Sequence, residues 1–453
     1  MIALKKNERI ALTVTDCTLS GSGVGHADGM AVLVPATAVG DEITAHIVKV
    51  KKTYAFGKAV EIHRASPDRI VPDCAAFPRC GGCLFRHITY KAELRLKENQ
   101  VRENLRRIGQ YAGPVEPIVP SPKVDGYRNK AQYPLAASDG KVQIGFFAPR
   151  SHRVIDCRDC RLQPPSFRAV LDVFDTWIQT YHIPVYDEQT GHGLLRHIYI
   201  RQGEHTRQML VCVVATKMKL PHADALCDAL QAAEPQIKTV VLNVNPDDTN
   251  VILGRQCIPL RGDGTIEDVL CGLSVRLNAL SFYQVNTLQA EAIYRKASQL
   301  AAPEGETVLD LYCGAGTIGL SMADRAKEII GVEIIPEAVE DARYNAARNG
   351  IGNARFLCAD AAEAAATLEG EGVRPGVVLV DPPRKGCAPE LIGTILRFAP
   401  DRIVYVSCDS ATLARDVALL QTGGYTVQTA APFDMFPRTG HVETVCFLQR
   451  QKE

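Results

Sequence analysis

Short apolar runs alternate with amphipathic segments in the last third of the chain, from about residue 281. Strands that alternate with helices predict a parallel sheet that is covered on both faces. We therefore predict an α/β domain over residues 281–453, with one of its helices at 336–349. Its strands are predicted at 308–312, 329–333, 355–360, 377–381 and 402–407.

The first 66 residues show a different pattern, in which apolar and polar residues roughly alternate over short stretches between glycines. Closure into a small β-barrel is the economical arrangement, because it removes exposed strand edges. Tyr54 and Phe56 lie among lysines, which suits either an RNA-binding surface or a solvated edge strand. Strands are predicted at 11–15, 30–34, 42–50 and 57–62, with turns at Gly21, Gly23, Gly25, Gly29 and Gly40.

Residues 67–280 are predicted to form a strand-rich central domain. The segment 91–109 is an exception, because its apolar residues recur at helical spacing. Lysines and arginines, Lys97 among them, occupy the other positions, and we interpret that charged face as solvated. This helix is also a candidate to pack on the C-terminal domain.

Composition places the chain among ordinary globular proteins. Its 453 residues are too many for one core, and Lys plus Arg (51) balance Asp plus Glu (51). No apolar stretch is long enough for a signal peptide or a membrane span, so we expect a cytoplasmic protein with no membrane partner. There, the 15 cysteines are expected to be thiols, metal ligands or nucleophiles rather than disulfides.

Ionisable side chains lie at or just after the carboxyl ends of the predicted strands, which is where parallel sheets bind their ligands. They are Asp310, Glu333, Asp360, Asp381 and Cys408. The glycines of 314–319 allow a ligand to approach the backbone closely, and Glu333 suits ribose hydroxyls, as in NAD-dependent enzymes. Carboxylates on the third and fourth strands favour S-adenosylmethionine instead. The alternative is that these carboxylates only cap helices.

Cys408 is the candidate nucleophile and Glu443 the candidate base. A predicted helix at 411–420 places Cys408 near a helix N-terminus, which lowers a thiol pKa, and Arg384 or Lys385 would lower it further. A thiolate that adds to C6 of uracil makes C5 nucleophilic towards a methyl donor, and a base must then remove the C5 proton. On residue type alone, Glu443 is equally an exposed carboxylate at the end of a strand.

Four segments make a family resemblance specific: 381–386 (DPPRKG), 406–416 (VSCDSATLARD), 441–445 (HVETV) and 282–286 (FYQVN). They resemble the RNA uridine-C5 methyltransferases, and the N-terminal pattern is similar to the TRAM domain, an OB-like RNA-binding barrel. The resemblance implies a Rossmann-like methyltransferase fold, with Cys408 as nucleophile and Glu443 as base. It places the S-adenosylmethionine contacts on Gln284, Tyr312, Thr317, Glu333, Asp360 and Asp381.

The chain departs from the family pattern at two positions. Asp409-Ser410 stands where Asn-Pro commonly follows the nucleophile, and Thr317 stands where an asparagine is often found. If the Asp409 carboxylate points towards Cys408, its charge disfavours the thiolate.

Three cysteines, Cys74, Cys80 and Cys83, fall within ten residues, and a fourth ligand must come from Cys157 or Cys160. Zinc and an iron–sulfur cluster both accept four thiolates, so the spacing leaves both open. The ribosomal-RNA branch of the resembled family holds a [4Fe–4S] cluster with this arrangement. That resemblance places the fourth ligand on Cys160, leaves Cys157 spare and implies a structural role for the cluster.

The sequence thus predicts an enzyme that methylates C5 of a uridine, flipped out of a loop in 23S ribosomal RNA, and acts as a monomer. A transfer-RNA uridine-C5 methyltransferase is the nearest alternative. A non-catalytic RNA-binding or assembly factor and an NAD-dependent oxidoreductase with an iron–sulfur relay are the others.

Overall fold

The structure is a computed structural model that describes residues 4–138 and 140–451. In that part of the chain, three mixed sheets follow one another in sequence, and a short hairpin and the helices fill the space between them. No helix of the described ranges combines the length and the apolarity that a membrane crossing requires.

The N-terminal sheet has six strands in the order β1-β5-β6-β4-β3-β2 and curls around its own apolar cluster. Its strands are β1 (Arg9–Thr13), β2 (Asp16–Cys17), β3 (Ser22–Ala27), β4 (Met30–Pro35), β5 (Glu42–Val50) and β6 (Tyr54–Arg64). Strand β3 lies where turns had been predicted. A Cβ at Gly23 would lie 2.7 Å from Val14, and one at Gly25 would lie 2.6 Å from Leu12. These glycines therefore permit close packing inside the barrel rather than marking turns.

The central sheet has the order β13-β12-β11-β10-β7-β8-β9 and is buried on both faces along β10 and β11. Helices α2 and α3 cover one face. The hairpin β14–β15 and helix α4 cover the other. The strands are β7 (Lys130–Ser138), β8 (Lys141–Phe147), β9 (Val154–Asp156), β10 (Leu195–Gln202), β11 (Met209–Ala215), β12 (Ile237–Val244), β13 (Gln256–Arg261), β14 (Ile266–Leu270) and β15 (Leu273–Leu277). The helices are α2 (Phe167–Thr180), α3 (Ala223–Ala233) and α4 (Thr287–Ala301).

The C-terminal sheet confirms the predicted α/β fold. Its order is β18-β17-β16-β19-β20-β22-β21, and the five predicted strands are its parallel part. The strands are β16 (Thr307–Leu311), β17 (Glu328–Glu333), β18 (Ala354–Cys358), β19 (Val377–Val380), β20 (Arg402–Ser407), β21 (Tyr425–Phe433) and β22 (Glu443–Arg450). The helices are α5 (Thr317–Leu320), α6 (Pro336–Arg348), α7 (Ala361–Gly370), α8 (Pro389–Phe398) and α9 (Ser410–Thr422).

Alternate residues of the parallel strands face two different helical layers. Leu309 and Leu311 of β16 pack with α7, α8 and α9, whereas Val308 packs with α4. This burial on both faces explains why the strands appear in the sequence as continuous apolar runs.

Helix α1 (Tyr90–Arg107), predicted at 91–109, packs against α9 of the C-terminal sheet through Val101 and Leu105. The interpretation of its charged face as solvated is wrong for Lys97, whose side chain is fully buried. Its ammonium donates to Glu93 at 2.7 Å and to Asp434 at 2.6 Å. The helix is thus tied to the chain just after β21 by a buried ion network.

The β21–β22 connection, residues 434–442, forms hydrogen bonds with residues that are distant in the sequence. The backbone N–H of Leu84 donates to the Arg438 carbonyl at 2.7 Å, and the Arg438 N–H donates to the Glu93 carboxylate at 2.7 Å. Tyr127 donates its hydroxyl to the Pro437 carbonyl at 3.1 Å. The connection that leads into Glu443 is therefore fixed from several sides.

We expect Lys97→Met to destabilise the protein by about 3–5 kcal/mol, because it removes the cation that pairs with the buried carboxylate of Asp434 and leaves Glu93 with Arg438 alone. Thermal unfolding followed by circular dichroism measures the effect. Lys91→Met, an exposed position on the same helix, is the matched control and should change stability by less than about 0.5 kcal/mol. Equal transitions for the two variants would contradict a stabilising role for the network.

Candidate active site

Carboxylates gather at the carboxyl edge of the C-terminal sheet. Asp310, the fourth residue of β16, is buried and accepts the Gly319 N–H at 3.0 Å. A Cβ at Gly319 would lie 2.7 Å from that carboxylate, so glycine is needed there. Burial, with Asp381 and Glu333 nearby, raises the pKa of Asp310 to about 7. Burial also raises the pKa of Asp381 to about 7.

Glu333 organises the glycine turn. One of its carboxylate oxygens accepts the Gly314 N–H at 3.1 Å, and the other accepts the Ile335 N–H at 2.9 Å. Each oxygen keeps a lone pair after these bonds. The geometry is therefore compatible with ribose recognition and also gives Glu333 a structural role.

Asp360 caps helix α7, accepting the N–H groups of Ala362 at 2.9 Å and Glu363 at 3.3 Å. The helix-capping alternative thus describes part of its role. Tyr312, with a positive φ of 63°, lies close enough for the Asp360 charge to help raise the pKa of its hydroxyl.

The other two predicted cofactor contacts, Thr317 and Gln284, are bonded to other parts of the chain. Thr317 begins α5 and donates its hydroxyl to the Tyr294 hydroxyl at 3.4 Å. Gln284 precedes α4, and its backbone carbonyl accepts from the Asn129 amide at 2.7 Å. Within the described residues, no hydrogen bond links the Gln284 side chain to the carboxylates.

The pairing of β20 with β22 brings Cys408 and Glu443 together. These strands are antiparallel, and their last pair is Ser407 with Thr444. Cys408 follows β20 directly and Glu443 begins β22, so both lie at the same end of this strand pair. The predicted nucleophile and the predicted base are therefore neighbours at the carboxyl edge of the sheet.

Their electrostatics differ from the sequence prediction. Burial, and the charges of Glu443 and Asp381, raise the pKa of the Cys408 thiol to about 11, and Arg384 only partly opposes this. The predicted lowering by a helix N-terminus is wrong, because desolvation and two carboxylates outweigh it. Burial and the neighbouring Asp381 raise the pKa of Glu443 to about 8, again with Arg384 opposing.

Asp409 does not cause this shift. Its carboxylate caps α9, accepting the N–H groups of Ala411 at 2.9 Å and Thr412 at 3.1 Å. The departure from the family pattern at this position therefore supplies a helix cap instead of a charge against the thiol.

The loop that carries Arg384 is held by the helix that follows the nucleophile. Thr412 donates to the Arg384 carbonyl at 3.1 Å, and Arg415 donates to the Lys385 carbonyl at 3.0 Å. Buried Asp416 accepts the Cys387 N–H at 2.8 Å. The sequence singled out this helical motif as part of the resemblance but gave no role for its residues; the structure shows that they anchor the loop.

Five cysteines line one cavity of about 120 Å³ in the central domain, and the cations of Arg86, Arg128 and Arg161 line it as well. The cysteines are Cys74, Cys80, Cys83, Cys157 and Cys160. Cys157 is buried, and Cys74, Cys80 and Cys160 pack against the same small apolar cluster. In the part of the chain that the structure covers, no three His, Cys, Asp or Glu side chains are arranged to hold a metal ion.

The layout of this domain is that of S-adenosylmethionine-dependent methyltransferases. It combines a parallel sheet that ends in an antiparallel pair with a glycine turn and carboxylates at the carboxyl edge. Residues 271–451 match the family described as tRNA (Uracil-5-)-methyltransferase, and residues 4–60 match the TRAM domain. The chain therefore belongs to the RNA uracil-5-methyltransferase family, whose members are S-adenosylmethionine-dependent enzymes.

Individual relatives support that membership. A Halalkalibacterium halodurans protein described as an uncharacterized RNA methyltransferase is 42% identical over 98% of both chains. A Listeria monocytogenes protein with the same description is 40% identical over 98% of both chains. The crystal structure of Pyrococcus abyssi tRNA (uracil-54, C5)-methyltransferase in complex with S-adenosyl-L-homocysteine is 30% identical, with a TM-score of 0.78. That similarity covers 97% of this chain and all of the other.

We expect Glu443→Gln to raise stability more at pH 8 than at pH 5. Folding raises the pKa of Glu443 from 4.5 to about 8, so the folded protein binds this proton more tightly than the unfolded chain. The favourable contribution is complete below pH 4.5 and is lost as the pH rises towards 8. Glutamine does not titrate and escapes that loss.

The measurement is the difference in melting temperature between variant and parent across this pH range. The gain in melting temperature of the variant over the parent should be several degrees larger at pH 8 than at pH 5, which corresponds to about 2 kcal/mol in the free energy of unfolding. Glu337→Gln, an exposed carboxyl at the start of α6, is the control. A difference that stays constant with pH would contradict the shifted pKa.

Proposed function

We propose that this enzyme methylates C5 of a uridine in 23S ribosomal RNA, with Cys408 as the nucleophile and Glu443 as the base. The single observation that supports the proposal is the proximity of Cys408 and Glu443, at the paired ends of β20 and β22 and beside Asp381. A thiol and a carboxylate on one face are the two groups that addition to C6 and loss of the C5 proton require.

The proposed reaction begins and ends with a free Cys408 thiol. The Cys408 thiol loses its proton to solvent, and the thiolate forms a bond to C6 while the C5–C6 π electrons move towards the O4 oxygen. C5 then bonds to the methyl carbon, the electrons of the donor's sulfur–methyl bond stay on that sulfur, and Glu443 removes the C5 proton. The C6–sulfur bond breaks, so that Cys408 leaves as a thiolate, which regains a proton from solvent while Glu443 releases the proton that it took. The net proton released is the one from C5.

The protein's contribution to these steps is positional and electrostatic. Arg384 is the cation that opposes the raised pKa of both Cys408 and Glu443. It therefore favours the ionised forms that attack and proton removal require. Thr412 and Arg415 fix the loop that presents it.

The carboxyl edge suits S-adenosylmethionine. The partly unpaired carboxyl of Asp310 lies beneath a glycine turn, which leaves space for close approach of a ligand. When bound, S-adenosylmethionine would supply the electrophilic methyl group. By the family resemblance, the residues that hold it are Gln284, Tyr312, Thr317, Glu333, Asp360 and Asp381.

The substrate is RNA with the target uridine flipped out, because C6 cannot be reached within a base stack. We favour ribosomal RNA because the chain combines a TRAM barrel with a cysteine cavity, as in the ribosomal branch that it resembles. Transfer RNA is the second candidate, because the P. abyssi protein, similar over the full chain, is named a tRNA methyltransferase. A cytoplasmic, monomeric enzyme fits either substrate.

We expect Cys408→Ala to lose methyl transfer and to form no covalent complex. Glu443→Gln should accumulate a covalent RNA–protein adduct, because the C5 proton stays in place and blocks elimination. The adduct is detected as an RNase-sensitive band on a denaturing gel. Cys358→Ala, which removes an exposed thiol of the same domain, should behave as the parent; turnover by Cys408→Ala would falsify the nucleophile.

The target is identified by mapping 5-methyluridine in ribosomal and transfer RNA from cells with and without this protein. Loss of one or more 5-methyluridines from 23S RNA is expected. Loss confined to transfer RNA would replace the ribosomal target with the second candidate.

We also propose that the cysteine cavity holds a [4Fe–4S] cluster through Cys74, Cys80, Cys83 and Cys160. The donor set supports this, because cysteines that line one cavity together with arginines suit an anionic cluster once the thiols are deprotonated. Zinc is the alternative for the same thiolates. The cluster would hold the segment around Cys80 against the end of β9.

We expect Cys160→Ser to lose iron and acid-labile sulfide, whereas Cys157→Ser keeps both. Iron and sulfide content and the visible absorption of anaerobically purified protein measure this. Cys17→Ser, a half-buried thiol of the barrel, is the control. Zinc in place of iron in every preparation would overturn the cluster, and iron loss only from Cys157→Ser would change the fourth ligand.

A further inference from the structure

Four planar side chains lie in a row along the β21–β22 connection and the loop opposite it. The Arg128 guanidinium lies 5.9 Å from the centre of the Phe436 ring. The Phe436 ring lies 5.8 Å from the His441 ring, edge to face at 76°. We call Arg128, Phe436, His441 and Arg384 the planar row.

Arg384 closes the row by lying over the face of His441. One guanidinium nitrogen is 3.3 Å from both ring nitrogens of the imidazole. A position in the ring plane at equal distance from both nitrogens would collide with the carbon between them. This guanidinium nitrogen therefore lies out of the ring plane, over one face of the imidazole.

One end of the row lies at the nucleophile. Arg384 is close enough to affect the pKa of both Cys408 and Glu443. Arg128, at the other end, lines the cysteine cavity. His441 and Arg384 are exposed, and Phe436 is half-buried. The row therefore presents accessible flat surface next to the place where the uridine must enter.

The backbone beneath the row is fixed before any ligand arrives. Buried Lys97 donates to the Phe436 carbonyl at 3.2 Å, and the Asn286 amide donates to the Met435 carbonyl at 3.0 Å. The Tyr127 bond to Pro437 holds the next residue. Little conformational entropy remains to be lost when a flat ligand binds here.

We propose that the planar row is a stacking surface for the unpaired bases that flank the flipped uridine. This rests on the proposed function, which supplies a single-stranded segment at that position. Aromatic and guanidinium planes are the groups that stack on unpaired RNA bases, and the two arginines also attract the phosphates between those bases.

His441 is the member to test, since it is exposed and lies between Phe436 and Arg384. The probe is a short uridine-rich single-stranded RNA with one 2-aminopurine, whose fluorescence falls when the base stacks. We expect His441→Ala to weaken binding about tenfold, within the range of one lost base stack, and to abolish the quenching. KM for RNA should rise more than kcat falls.

His441→Phe keeps a flat ring and should restore binding and quenching, which a merely structural histidine would not predict. His222→Ala is the matched control, because His222 stacks on Tyr181 at 4.1 Å far along the chain from the site. It should leave binding and quenching unchanged. S-adenosylmethionine binding is measured in parallel and should be equal in all variants.

Quenching by His441→Ala equal to that of the parent would overturn the stacking surface, as would equal losses in His441→Ala and His441→Phe. The proposed function fails separately. If Cys408→Ala quenches the probe normally and the parent forms no 5-methyluridine in any RNA, the stacking surface stands without the reaction.

Discussion

The antiparallel register between β20 and β22 is the constraint on which the site depends. It places Ser407 opposite Thr444, and thereby brings Cys408, the residue after β20, to the same end of the strand pair as Glu443. Side chains alternate between the faces of a strand, so a slip of one residue would turn Glu443 to the opposite face. The register is specified by burial, because Val445 packs with the α4 layer and Cys446 with the α7–α9 layer.

Burial shifts the pKa values of the ionisable groups in the site. Asp381, Glu443 and Cys408 each resist ionisation because water is excluded, and carboxylate charge adds to this effect at Glu443 and Cys408. Burial and these charges together favour the protonated form of the Cys408 thiol. Arg384, on a loop anchored by α9, is the cation that opposes this effect on both Cys408 and Glu443.

The local pattern of apolar residues was sufficient to predict the parallel sheet. It was insufficient where the structure of a segment depends on residues that are distant in the sequence. Its strands, covered on both faces, are uninterrupted apolar runs and were predicted to within two residues at either end. Strand β3 was missed because Gly23 and Gly25 resemble turn residues, and only the packing of Leu12 and Val14 explains them. The sequence around Cys408 shows the helix that lowers a thiol pKa, but not the carboxylates that raise it.

The β21–β22 connection also determines when the chain can finish folding. Lys97 and Asp434 are separated by 337 positions, and Leu84 bonds to Arg438 across a similar distance. Closing such long loops is slow, because the entropy of the intervening chain is lost before these contacts stabilise the fold. Val101 and Leu105 of α1 have their docking surface only once α9 exists. Until α9 has formed, α1 therefore keeps an apolar face exposed to water, through which incompletely folded chains can associate.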